Sequence, residues 1–211
     1  MQSSARQRAA APAETSVTQK GRDRAQRILE TAVEVFLEQG YANFTVRAVA
    51  DAAGISIGNL NYYFPRKSAL LRAMVEHVIV GYLAEFERRR RGHPQDPQAQ
   101  LECVLDFWLG DLGTPRTTRF FPELWALANH DAEAARLMDD LYERARLVLV
   151  ELLREIHPGA DCQAIDEVSV VMVAALEGLT LFAGHGKAWS GARAALERRC
   201  KKALAALAAD A

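Results

Sequence analysis

Residues 44–64 read FTVRAVADAAGISIGNLNYYF, and the remaining chain is best read outward from them. Thr45 stands where its hydroxyl can cap a helix beginning at Val46, and Phe44 before it faces Val49 in the geometry of a hydrophobic staple. Gly54 supplies the positive φ that ends this helix. Ser56 caps the next helix, Ile57 to Tyr63, and Ile55 faces Leu60 in a second staple. Two short, capped helices around a glycine turn describe a helix-turn-helix, although any αα-hairpin could share this local chemistry.

The faces of the second helix point to a use. With Leu60 taken as inward and about 100° per residue, Phe64 lies beneath it, and Ile57 and Tyr63 flank it. Gly58, Asn59, Asn61 and Tyr62 are expected to point outward, a face with two amides, a phenol and no carboxylate. Amides can bond adenine edges in the major groove, and a tyrosine hydroxyl can reach a phosphate. The plainer alternative is that Asn and Gly mark a weak, loop-like helix. Arg47 sits in a first helical turn, where its charge opposes the helix dipole. Lys67 opens the next helix, whose free amides favour anions.

Outside this stretch the pattern is helical throughout. Ile28, Leu29, Ala32, Val33 and Phe36 form one stripe from Arg24 onward, stopped by Gly40. A long helix carries Leu70, Leu71, Met74, Val75, Val78, Ile79, Tyr82 and Phe86 and ends in Arg88–Arg91, a run that complements the dipole. After the linker GHPQDPQ, helices are expected at 98–112, 117–128, 132–156, 162–183 and 191–208, with Asp131, Asp161 and Ser190 as N-caps. The expected fold is all-α, about nine helices in total. Residues 1–22 hold almost no large apolar group and read as a flexible basic tail.

The chain from Arg27 to Leu71 closely resembles the DNA-binding domain of the TetR family of transcriptional regulators. The resemblance rests on Ile28-Leu29, Ala32, Phe36, Gly40-Tyr41, Thr45-Val46-Arg47, Val49-Ala50, Ala53-Gly54-Ile55-Ser56, Leu60, Tyr62-Tyr63-Phe64, Lys67 and Leu70-Leu71. One departure is Asn61, where the family very often has Tyr. The resemblance implies an N-terminal three-helix DNA-binding domain over 23–83 and a ligand-binding and dimerisation domain over 84–211. It implies that Arg47, Ile57, Gly58, Asn59, Asn61 and Tyr62 approach bases, and that Thr45, Ser56, Tyr63 and Lys67 bind phosphates. Helices 162–183 and 191–208 would pair with a second copy as a four-helix bundle.

Charge fits an anionic partner for the front of the chain: residues 1–91 hold 14 Lys and Arg against 9 Asp and Glu, whereas 92–211 hold 12 against 18. Aromatic residues gather between 107 and 142, and Phe107, Trp108, Phe121, Trp125, His130, Tyr142 and Phe182 are candidate contacts for an apolar or amphipathic effector, with ordinary core as the alternative. Cys103, Cys162 and Cys200 are too few and too dispersed for a disulfide framework or zinc knuckle. No catalytic motif, metal-ligand pair or cofactor signature stands out, and GHGK lacks P-loop spacing. No stretch is long and apolar enough for a membrane span or secretory signal, so a cytoplasmic location is expected. The function expected is a repressor on palindromic duplex DNA, released by a small molecule. Two rivals are a same-fold protein answering to a protein partner or to no effector, and a helical enzyme with a vestigial DNA-binding head.

Overall fold

The computed structural model describes residues 19–209, and in these the chain forms nine α-helices and no strand. The first helix, α1 (Gln19–Asn43), is broken at Gly40, whose φ of 67° is open to glycine at little cost. The expected tail is therefore shorter than 1–22, since 19–22 already belong to α1, and the rest of it lies outside the described residues. Then follow α2 (Val46–Ala52), α3 (Ile57–Tyr63) and α4 (Lys67–Arg90). Phe44, Val49, Ala50 and Leu60 are wholly buried in the core and Ile55 packs partly buried against it, the burial that the two expected staples call for.

The second half comprises α5 (Pro97–Asp111), α6 (Pro115–Ala128), α7 (Ala132–Ile156), α8 (Cys162–Ala183) and α9 (Arg193–Ala209). Asp96 and Thr114 cap α5 and α6 ahead of a proline in the first turn, so α6 begins two residues before the expected start at 117. Asp131 caps α7 through two backbone amides, whereas Asp161 stands at the N-cap of α8 without a side-chain bond. Ser190 does not cap the last helix: it opens a 3-10 turn, Ser190–Ala192, and α9 starts at Arg193.

The long helix α4 joins the two halves. It packs on α1 at one end and on α5 and α7 at the other, and it is continuous through residues 83 and 84. At its far end Arg90 is anchored to Glu151 of α7 (3.0 Å) and to Gln100 of α5 (2.9 Å). No helix among the described residues is long and apolar enough to cross a membrane.

Candidate DNA-reading face and effector cluster

The helix-turn-helix is built as its local chemistry requires. Thr45 Oγ1 accepts from the Ala48 amide at 3.0 Å and Ser56 Oγ from the Asn59 amide at 3.2 Å. Gly54 turns the chain at φ 65°. On α3 the side chains of Ile57, Asn61 and Tyr62 are exposed, as is Gly58, and Tyr62 reaches 80% exposure, with its ring edge-on to Tyr63 at 5.1 Å. This outer face carries no carboxylate. Asn59 departs from expectation: it is half-buried, and its amide oxygen is buried with no hydrogen-bond partner among the described residues. It lies on the flank of α3 nearest Tyr63, where neighbouring packing decides whether a side chain is covered.

Two further cations are placed differently from each other. Arg47 is exposed and only loosely paired with Asp51 at 3.8 Å. Lys67 is half-buried: its ammonium donates to the Tyr41 carbonyl at 3.1 Å and sits 3.8 Å above the Tyr41 ring. Loss of solvent lowers its pKa. A groove of about 730 Å³ beside the turn is lined by Lys20, Arg24 and Arg27 of α1 together with Ile55 and Tyr63, and also by Glu30 and Glu34. These three cations recur at i, i+4 and i+7, a spacing that the sequence displayed but that only the fold sets beside α3.

The Tyr41 peptide is fixed from both sides. Its carbonyl accepts from Lys67 of α4, and its amide donates to Glu123 of α6 at 2.7 Å. Close by, the rings of Phe44, Phe36 and Phe120 follow one another at 5.6 and 5.3 Å, joining the α2 staple through α1 to α6. Phe120 in turn meets Phe121 at 5.4 Å, and Phe121 meets Tyr142 at 6.3 Å.

Phe107, Trp108, Phe121, Trp125 and Tyr142 come together between α4, α5, α6, α7 and α8, joined by Tyr82 and Phe86. His130 and Phe182 do not join them. His130 is exposed just beyond α6, and Phe182 is 62% exposed on the outer side of α8. The sequence reading missed the polar centre of the cluster. Glu177 of α8 accepts from Trp108 Nε1 at 2.9 Å and from the Tyr142 hydroxyl at 3.2 Å, and that hydroxyl accepts from Trp125 Nε1 at 2.7 Å. Asp111 accepts from the hydroxyls of Tyr82 and Thr117. Burial, opposed by the Trp108 and Tyr142 bonds, pushes the Glu177 carboxyl up to about 7, and burial raises the Tyr82 and Tyr142 phenols as well. An internal cavity of about 20 Å³ lies here, room for roughly one water. Against it, sharing Tyr142 and Glu177, an open groove of about 650 Å³ runs between α6, α7 and α8.

On its outer side α8 exposes Val170, Val171, Ala174, Leu181 and Phe182 as one helical stripe. Soluble chains seldom leave such a continuous apolar row uncovered. Among the described residues no three His, Cys, Asp or Glu side chains converge as a metal site.

Comparison with known proteins gives the same fold and adds a lineage. Residues 28–74 match the bacterial regulatory proteins of the tetR family, and residues 97–209 match the C-terminal domain of BetI-type transcriptional repressors. An HTH-type transcriptional regulator from the dhlA 5' region of Xanthobacter autotrophicus is 29% identical over 70% of this chain and 73% of its own length. The nucleoid occlusion factor SlmA of Actinobacillus pleuropneumoniae is 26% identical over 64% of this chain and 69% of its own. A TetR transcription regulator from Haloarcula marismortui superposes with a TM-score of 0.72 at 19% identity, covering 90% of this chain and 98% of that one. With the second match alone spanning more than half of its length, the chain belongs to the TetR family of transcriptional regulators.

Proposed function

We propose that the chain is a sequence-specific DNA-binding repressor that occupies a palindromic operator as a homodimer and leaves it when a small molecule enters the aromatic cluster. Members of the family bind DNA, typically as dimers, and respond to small-molecule effectors. In this reading residues 23–83 are the DNA-binding head and residues 84–211 the effector-binding and dimerisation body. The single observation that carries it is the outer face of α3, polar and free of carboxylates, held out by two satisfied N-caps and a buried Leu60.

Each side chain has a part. Ile57, Gly58, Asn61 and Tyr62 meet base edges, Gly58 because its missing side chain permits close approach. Asn59 reaches a base only by rotating its buried amide outward. Arg47 approaches bases from α2. Thr45, Ser56, Tyr63 and Lys67 face phosphates, Lys67 with the ammonium protons left over from Tyr41. The stripe on α8 pairs with its symmetry mate, with α9 alongside, to close a four-helix interface.

Release follows from the linkage at Tyr41. A ligand that parts α5, α6 and α7 shifts α6 and α4, and both grip the Tyr41 peptide at the base of the head. The operator accepts one head spacing, roughly 34–36 Å or a multiple of it, so a displacement of a few Å loses base contacts. A differential affinity of about 1–3 kcal/mol suffices for about 5- to 150-fold release.

A second reading has an observation of its own. The core around Glu177 is nearly filled, with a cavity of about 20 Å³, as in a same-fold protein that answers to a protein partner or to no effector. Linkage separates the two. A compound that raises the melting temperature of the free protein is titrated with and without bound duplex, and the effector reading expects the two affinities to differ by the factor by which the compound weakens DNA binding. Equal affinities favour the second reading.

A further inference from the structure

The apolar stripe of α8 carries opposite charge at its two ends. At its N-terminal end, Val170 and Val171 border an open hollow of about 550 Å³, whose other walls are Glu143, Asp166 and Glu167 against a single arginine, Arg146. That arginine is already held by Glu143 at 2.8 Å and by Asp166 at 3.1 Å. Glu167 accepts from the Gln163 side-chain amide at 2.8 Å and has no cation beside it among the described residues.

The other end is cationic. Helix α9 follows α8 after a short connection in which the Trp189 amide bonds back to the Phe182 carbonyl, so its first turns lie beside the C-terminal end of α8. Arg198, Lys201 and Lys202 occupy the flank of α9 that forms a groove with α5. With the buried Leu204 taken as inward and about 100° per residue, Arg199 projects from the opposite flank, the side of α8, in one row with Ala195, Ala203 and Ala206. All four are exposed, and Arg199 has no ion pair among the described residues.

Resting on the homodimer reading above, we propose that Arg199 of each copy enters the acidic hollow of the other and pairs there with Glu167. A two-fold axis perpendicular to α8, crossing the stripe near Ala174, lays the acidic end of one α8 beside the C-terminal end of its mate and the first turns of the partner's α9. The apolar rows then cover each other, and the small side chains on α9 permit close approach. Because the interface is isologous, the ion pair is made twice. An axis parallel to α8 would set one acidic hollow against the other, and like charges across an interface are strongly disfavoured. A related chain that lacks either charge would leave the hollow or the arginine unmatched. The pair thus fixes the register of the two copies and selects a second copy of this chain over its relatives.

The test exchanges the charges in the full chain. Glu167→Arg and Arg199→Glu lie at exposed positions, and circular dichroism should show the same helical content as the wild type. Each variant alone brings two like-charge contacts into its homodimer, and sedimentation equilibrium is expected to show dimerisation weakened at least about tenfold. Mixing the two variants restores an attractive pair at both sites. Native mass spectrometry of the mixture should show the heterodimer at least about tenfold above either homodimer, where random pairing gives about twofold. The double variant should dimerise with itself again and exclude the wild type. Single variants that dimerise like the wild type, random pairing in the mixture, or weakening that mixing does not rescue overturns the proposal while the homodimer reading stands. A wild type that stays monomeric refutes the homodimer reading itself.

Discussion

Replacing Glu177 by Gln should stabilise the free protein, and the gain should grow with pH. In the folded chain the Glu177 carboxyl is pushed from its ordinary value of 4.5 up to about 7, chiefly by burial. The folded state therefore binds a proton that the unfolded state has released between these two values. Below pH 4.5 both states are protonated and the group costs nothing. As pH rises from there towards 7, folding must hold a proton that the unfolded chain gives up, and above 7 it must bury the ionised carboxylate, so stability falls across this window. Each pH unit between the two values is worth about 1.4 kcal/mol, and the full penalty above pH 7 is up to about 3 kcal/mol. Glutamine has no proton to lose and escapes it. Urea unfolding of both proteins at pH 5 and pH 8 should show the variant's relative stability rising by roughly 2–3 kcal/mol between the two. The difference includes the repulsion between Glu177 and Asp111 and the effect of the Tyr142 bond, since both act on the Glu177 carboxyl and change with it. Parallel profiles for the two proteins would refute the claim that Glu177 is a strained, uncompensated carboxylate.

Three other outcomes are expected. Tyr62→Ala and Asn61→Ala should each cost on the order of 1–3 kcal/mol on the cognate duplex and much less on random sequence, measured by fluorescence anisotropy; equal losses on both would reassign these side chains to backbone contacts. Leu60→Ala, which empties a fully buried site between the two short helices, should destabilise the fold by about 2–5 kcal/mol in denaturant titration. Val170→Asp on the exposed α8 stripe should shift the chain from dimer to monomer in analytical ultracentrifugation while the helical circular dichroism signal stays unchanged, and an unaltered mass would place the interface elsewhere.

Most of the architecture was legible because it is local. Thr45, Ser56, Gly40, Gly54 and Asp131 act within four residues of themselves, and each does in the structure what its neighbours in sequence imply. Features that depend on distant partners were not legible. Glu177 lies in the apolar run of the helix expected at 162–183, and only packing sets Trp108, 69 residues away, on its carboxylate. Helix α8 is apolar almost all round, so sequence alone could not tell that Phe182 turns outward while Met172 and Leu176 face the core. Asn59 stands at the flank of α3, where a few degrees of rotation separate exposed from covered. The last helix starts late because the chain first makes a 3-10 turn after Trp189, whose amide bonds back to Phe182 at 3.1 Å.

The central claim is that two copies of this chain read DNA through α3. Selection of the purified protein on a pool of random-sequence duplex, followed by sequencing of the bound fraction, tests it most directly. The account predicts a two-fold symmetric motif whose half-sites lie one helical turn or a multiple apart, enriched by the wild type and lost with Tyr62→Ala. An unenriched pool, or a motif that survives removal of Tyr62 and Asn61 together, would contradict it.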